Sequence, residues 1–206
     1  MKALLKKDIF VLLRQMKMFL LMIAIFAAIP QGNMTVFAIV YCGMLPYTAM
    51  AYDERSKWDD LAAMMPYTAS DVVMSKYLLG WLAVVCATIL SALSNFLLGL
   101  FVTSNFSMSM LLPFMCMGFL MMAVTMPLMF RFGVEKGRTF FILLMVVVAV
   151  GGAGLVAYLM APGESGEIPT RFLTMVLQLG IPLLSAVLTA ISIPLSIAMY
   201  KKRRYN

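Results

Sequence analysis

Long uncharged stretches dominate this chain. No Asp, Glu, Lys, Arg or His occurs between Lys76 and Arg131, and residues 18–52 and 172–200 are equally free of charge. A helix that crosses a bilayer needs about 20 predominantly apolar residues. The chain is 63% hydrophobic, whereas soluble domains are about half apolar. The sequence therefore predicts an all-α, multi-pass membrane protein with no separate soluble domain.

Uncharged stretches of suitable length predict six transmembrane helices in a single transmembrane domain. Residues 1–17 come first and carry apolar residues at helical spacing opposite several lysines, which predicts an amphipathic N-terminal helix at the membrane interface. The predicted spans are approximately 18–33, 34–51, 77–102, 108–130, 139–160 and 172–200. Residues 52–76 form the longest charged segment and connect the second span to the third.

The basic residues predict the orientation of these spans. Short cytoplasmic loops of membrane proteins are enriched in Lys and Arg. With the N-terminus inside, all of the 16 Lys and Arg residues except Arg171 fall on the cytoplasmic side. Both termini are therefore expected in the cytoplasm. The same distribution explains the net charge of +7 by anionic lipid, without nucleic acid.

Two helix starts are predicted within the charged segment 52–76. Ser56, followed three residues later by Asp59, resembles a capping box, and the helix would end before Pro66. Thr68 followed by Asp71 predicts a second start that runs directly into the third span. The apolar face of the first, short helix comprises Trp58, Leu61, Ala62 and Met65. Such a helix binds lipid or a partner protein, but the pattern fits a solvated connector on the lipid equally well.

The residues that usually perform chemistry are missing or scattered. The chain has no histidine, no phosphate-binding glycine loop, and three cysteines in apolar runs, Cys42, Cys86 and Cys116, which we interpret as small buried hydrophobes. No catalytic, metal-binding or cofactor-binding residue is predicted. Ionisable groups deep in a predicted span are also absent, which disfavours a carrier driven by an ion gradient.

Some polar and methionine side chains within the spans are candidates for a translocation path. These are Asn95, Met121, Thr125 and Gln178. Hydrogen bonding between helices is the alternative interpretation for the polar residues, and packing is the alternative for methionine. Methionine is unusually frequent, with 22 residues, and methionine-rich surfaces accept varied apolar partners.

The charged segment also carries the features of a known family. It begins with Asp53 and Glu54, continues through Trp58 to the Met65–Pro66 break, and ends in residues 72–78, Val-Val-Met-Ser-Lys-Tyr-Leu. Together with the six predicted spans and the amphipathic N-terminal helix, these residues resemble the type-2 ABC exporter permeases. The similarity is to small bacterial members, such as the membrane subunits that export phenol-soluble modulins or peptide antibiotics. Met65 replaces the leucine that is usual before the proline.

The resemblance implies a permease without its own ATPase site. Two permease halves, identical or paralogous, would act with two ABC nucleotide-binding subunits that bind ATP and Mg, and an amphipathic peptide would leave the bacterial cell through the plasma membrane. The ATPase would contact a coupling helix and its flanks at Glu54, Ser56, Trp58, Asp59, Leu61, Ala62, Met65 and Pro66. A second, smaller contact would comprise Arg131, Glu135, Lys136 and Arg138. A non-transporting immunity or scaffold protein and, less well supported, an ion-coupled carrier are the alternatives.

Overall fold

The computed structural model describes residues 2–29, 32–99, 111–144, 146 and 179–205, and the regular structure within these residues is helical. We number the described helices in chain order. They are α1 Lys2–Gln15, α2 Lys17–Ala28, α3 Gly32–Gly43, α4 Leu45–Arg55, α5 Trp58–Met64, α6 Ala69–Gly99, α7 Leu111–Phe132, α8 residues 134–144 and α9 Ile181–Tyr205.

Three of the described helices are long and apolar enough to cross a membrane. They are α6, α7 and α9, which correspond to the predicted third, fourth and sixth spans. α7 and α9 pack extensively along each other, and α6 contacts both. α1 and α2 would together count as a fourth span, but they meet at an angle of 88°. The described residues therefore provide three or four spans, and the total of six stays a prediction.

The remaining predicted spans differ from the structure at their ends. The first is helical only to Ala28, and the second is divided at Met44 between α3 and α4. Residues 131–138, which lie between the fourth and fifth predicted spans, are not a loop, because α7 continues to Phe132 and α8 begins two residues later. Gly133 alone makes the break, with a φ of 82° that favours glycine. The predicted fifth span lies largely outside the described residues.

The predicted helix start at Thr68 is confirmed. The Asp71 amide donates to the Thr68 hydroxyl at 3.2 Å, and the Thr68 amide donates to the Asp71 carboxylate at 3.3 Å. Each side chain thus satisfies a backbone amide that the first turn of a helix leaves without a partner. α6 begins at Ala69 and continues without a break to Gly99, within the predicted third span.

Gly118 lies at a close approach of three helices. A Cβ atom at Gly118 of α7 would lie 2.9 Å from Ile39 Cγ2 and 3.4 Å from Val84 Cγ1. Both neighbours are β-branched and have few alternative rotamers. α3, α6 and α7 therefore approach each other at a point where only hydrogen fits.

The N-terminal helix α1 packs against other helices of the bundle with one face and exposes basic residues on the other. Its apolar residues Leu4 and Leu12 are buried, whereas Lys6 and Arg14 are exposed. α1 contacts α4 and α6. The amphipathic pattern therefore describes a helix whose apolar face covers the bundle.

Candidate functional site

A helix lies where the sequence predicted one between Ser56 and Pro66, namely α5, but it begins differently from the prediction. Ser56 does not cap α5: its amide donates to Tyr52 O at 2.9 Å and its hydroxyl to Asp53 O at 3.2 Å, so it closes α4. Lys57 then takes the left-handed conformation, with φ 50°, and α5 starts at Trp58 without a side-chain cap. The prediction that Ser56 caps the start of α5 is wrong, because a serine hydroxyl can also accept or donate a hydrogen bond at the end of the preceding helix.

The apolar residues of α5 point in two directions. Ala62 is buried, and Trp58 packs partly buried against the core that includes Tyr77 and Phe130. Three residues form an exposed apolar face, with exposed fractions of 49% for Leu61, 85% for Met64 and 39% for Met65. We call Leu61, Met64 and Met65 the α5 outer face.

Met64 is the member of the α5 outer face that the sequence prediction missed. The predicted face ran from Trp58 to Met65 as one continuous stripe, whereas the structure turns Trp58 inward. The spacing i, i+3, i+4 of the outer face is itself a helical signal that could have identified Met64. Asp59 lies in the first turn of α5, and Pro66 is exposed two residues after the helix ends.

A ring of four charges lies next to α5. Lys76 Nζ is 2.8 Å from Asp8 Oδ2 and 2.5 Å from Asp53 Oδ2. Lys7 Nζ is 2.6 Å from Asp53 Oδ1 and 3.0 Å from Asp8 Oδ1. Each charge therefore has two opposite partners, contributed by α1, α4 and α6. We call this arrangement the charge ring, and the end of the bundle that carries it the charged end.

The inner half of the charge ring is almost completely removed from solvent. The side chains of Lys76 and Asp8 are 4% and 2% exposed. Charges buried to this degree are stable only with close opposite charges and hydrogen bonds. Because Asp8 and Lys76 are 68 residues apart in the sequence, no local pattern indicated their pairing.

Glu54 brings the two predicted ATPase contacts together. Its carboxylate accepts a hydrogen bond of 3.1 Å from the amide of Val134, in the first turn of α8. A carboxylate is favourable there because the helix dipole places partial positive charge at this end. A cavity of about 320 Å³ lies at this junction, lined by Ala51, Glu54, Arg55, Val134, Glu135 and Arg138.

The residues of the predicted second contact surround the Gly133 break. Arg131, Glu135, Lys136 and Arg138 are all exposed. The guanidinium of Arg131 lies 5.1 Å from the centroid of the Phe132 ring. Because the Glu54–Val134 hydrogen bond joins the start of α8 to the end of α4, these charges lie close to the segment from which α5 begins.

The candidates for a translocation path are divided among different environments. The Asn95 side chain is buried in α6 and donates to Ser91 O at 2.8 Å. Thr125 is buried and hydrogen-bonds to the Tyr47 hydroxyl between α7 and α4, and Met121 is buried one turn away. Thr125 thus makes a hydrogen bond between helices, as the alternative interpretation of the polar residues proposed. Gln178 lies outside the described residues.

A second interhelical hydrogen-bond group was not anticipated from the sequence. The Tyr77 hydroxyl lies 2.5 Å from Ser192 Oγ and 2.9 Å from Ser196 Oγ, and Ser192 donates to Ala123 O at 2.6 Å. These bonds join α6, α7 and α9. Hydrogen bonds of this kind between membrane helices favour one packing arrangement.

Comparison with known proteins identifies a transporter family. A family model described as "ABC-2 family transporter protein" matches residues 3–201, which is nearly the whole chain. No curated protein and no solved structure matches.

Proposed function

This chain belongs to the ABC-2 transporter family, and on that premise we propose that it is the membrane-spanning subunit of an ATP-driven exporter whose ATPase is a separate chain. The single observation that supports this function best is the α5 outer face. Two apolar side chains of the seven-residue helix α5, and the apolar side chain of Met65 directly after it, are exposed beside a cluster of charges. Exposed apolar groups in a polar surround are typical of surfaces that bind another protein.

The two predicted contacts would together form the surface offered to the ATPase. The α5 outer face would form its apolar centre, and the exposed charges of the second contact would form its rim. The hydrogen bond from Val134 to Glu54 supports this arrangement, because it fixes the start of α8 against the end of α4. In protein interfaces, a few central apolar residues contribute most of the binding energy, and the charged rim contributes mainly to specificity.

The ATPase would drive transport by moving α5. ATP and Mg bind in the partner, so the chemistry of hydrolysis belongs to that chain. Only Met65 to Thr68 separate α5 from α6, and Pro66 restricts the backbone of this connection. A displacement of α5 would therefore be passed to the 31-residue helix α6, which also contacts α3, α7 and α9.

The expected cargo is amphipathic or hydrophobic, with a peptide favoured. An apolar groove of about 340 Å³ between α1, α2, α3, α6 and the start of α4 supports an apolar cargo. Its lining is Ile9, Leu12, Leu13, Leu20, Ile23, Ala24, Cys42, Leu45, Leu79, Leu82, Ala83, Cys86, Ala87 and Leu90. Asn95 stays a candidate for contact with polar groups of the cargo. We further propose a dimer of two permease halves in the bacterial plasma membrane, with both termini in the cytoplasm.

Charged substitutions on the α5 outer face test the docking surface. The double substitution Leu61→Glu with Met64→Glu is expected to weaken ATPase binding at least about tenfold, since burying two unpaired carboxylates in an apolar interface centre costs more than the about 1.4 kcal/mol that corresponds to tenfold. Binding is measured by co-purification and by the Kd in detergent. Ser70→Glu is the control, because it places a carboxylate on an exposed position in the first turn of α6. Unchanged ATPase affinity of the double variant would contradict the docking surface.

A further inference from the structure

Lys7 connects the N-terminal helix to α5. Its ammonium nitrogen lies 4.1 Å from the centroid of the Trp58 ring and 2.6 Å from Asp53 Oδ1. A cation within about 6 Å of the face of an indole ring is attracted to it. One side chain of α1 therefore contacts both the last turns of α4 and the first residue of α5.

The charge ring restricts the position of Lys7. Asp53, its main partner, is also bound by Lys76, and Lys76 is bound by Asp8, the residue that follows Lys7. Moving the Lys7 ammonium away from Trp58 would therefore disturb contacts in α1, α4 and α6 together. Lys7 is held more firmly than a long, flexible side chain on a surface, which usually loses any single contact easily.

The surroundings leave α5 room to move relative to α1. A cavity of about 420 Å³ lies beside the Lys7–Trp58 contact, and its lining includes Val11 and Gln15 of α1 and Tyr52 of α4. A gap of this size means that close packing does not hold α1 against α5 there. At this point α1 contacts α5 through the cation–π pair of Lys7 and Trp58, and the charge ring holds Lys7 in place.

The bend between α1 and α2 would pass a displacement of α1 on to α2. α1 joins α2 through Met16, with an angle of 88° between the two helices. The Met16 amide donates to Leu12 O at 2.9 Å, and the Leu20 amide donates to Met16 O at 3.0 Å, so the bend is hydrogen-bonded on both sides. A shift of α1 would therefore tilt α2.

We propose that Lys7 is a positioning residue for α5. Through Trp58 it sets the docked position of α5 on the bundle. Through the charge ring and the α1–α2 bend it passes displacement of α5 to α2, as a second route beside the Pro66 connection to α6. The positioning itself is a property of this chain alone, whereas the transmission rests on the proposed function.

Fluorescence of Trp58 tests the positioning without any partner. The chain has two tryptophans, and Trp81→Phe leaves Trp58 as the only one. In that background, Lys7→Gln can still donate a hydrogen bond to Asp53 but removes the charge above the ring. It is expected to raise the ratio of undocked to docked α5 about fivefold, and with it the quenching of Trp58 by acrylamide.

Two matched variants decide the outcome of the fluorescence experiment. Lys7→Arg keeps a cation over the indole and should retain the parent quenching. Lys6→Gln removes the same charge from the neighbouring, exposed position of α1 and should also leave quenching unchanged. Equal quenching in Lys7→Gln and the parent, or an equal rise in Lys6→Gln, would overturn the positioning role.

Coupling to the ATPase tests the transmission separately. Lys7→Gln leaves Leu61 and Met64 intact, so ATPase binding should weaken by no more than the about fivefold change in α5 docking, which is less than the loss expected for Leu61→Glu with Met64→Glu. Export of a fluorescent amphipathic peptide per ATP hydrolysed, measured in proteoliposomes, should fall severalfold and return in Lys7→Arg. Parent coupling in Lys7→Gln would overturn the second route. Failure of the ATPase to bind even the parent chain would instead refute the proposed function, while the fluorescence result would still stand.

Discussion

Replacing Lys76 by methionine is expected to destabilise this protein by about 3–5 kcal/mol, the usual cost of removing one partner from a buried ion pair. The ammonium of Lys76 lies within 2.8 Å of both Asp8 and Asp53, and its side chain is only 4% exposed. Without it, two carboxylates share the single cation of Lys7, and the carboxylate of Asp8 stays buried. The midpoint of thermal aggregation in detergent measures the loss.

Two controls separate this effect from a general loss of positive charge. Lys136→Met removes an exposed lysine of α8 and should leave the midpoint nearly unchanged. Lys76→Met combined with Asp8→Leu removes one cation and one anion, leaves Lys7 paired with Asp53, and should recover most of the stability. If Lys76→Met is no less stable than Lys136→Met, the charge ring does not stabilise the fold.

Replacing Gly118 by alanine is expected to have the second-largest effect on stability, about 1–3 kcal/mol, because the added methyl group overpacks the helix contact. Its Cβ would lie 2.9 Å from Ile39 Cγ2, and the stiff side chains of Ile39 and Val84 leave separation of α7 from α3 as the main relief. The thermal midpoint in detergent again measures the change.

Gly43→Ala provides the matched control for Gly118→Ala. The same methyl group at Gly43 would meet only the Gly118 carbonyl oxygen, at 3.9 Å, which is an ordinary contact. Its midpoint should stay close to that of the parent. Equal midpoints for the two alanine variants would show that α3 and α7 do not pack as closely as the structure indicates.

Local patterns predicted the helices that depend on local physics. The uncharged stretches located α6, α7 and α9, because crossing a bilayer requires length and apolarity within one segment. The Thr68–Asp71 pair located the start of α6, because a capping box is complete within four residues. Neither feature depends on the rest of the fold.

Contacts between distant residues account for most of what the sequence did not predict. The charge ring joins Asp8 to Lys76 and Lys7 to Asp53, and nothing near any one of these residues indicates its partner. Trp58 packs against Lys7 and the core, so it does not belong to the exposed face of α5, contrary to the prediction. Met64 belongs to that face and was not predicted. The Ser56 hydroxyl can cap either the end of one helix or the start of the next. The left-handed backbone of Lys57 separates α4 from α5, so Ser56 caps the end of α4.

The most direct test of the exporter mechanism is peptide export from proteoliposomes that contain this chain and its ATPase. With ATP and intact ATPase, the chain should move a fluorescent amphipathic peptide across the bilayer, and export should stop when the ATP-binding lysine of the partner is replaced. Leu61→Glu with Met64→Glu should stop it as well. Export at the full rate by this chain alone, without nucleotide, would contradict the claim that a separate ATPase drives transport through α5.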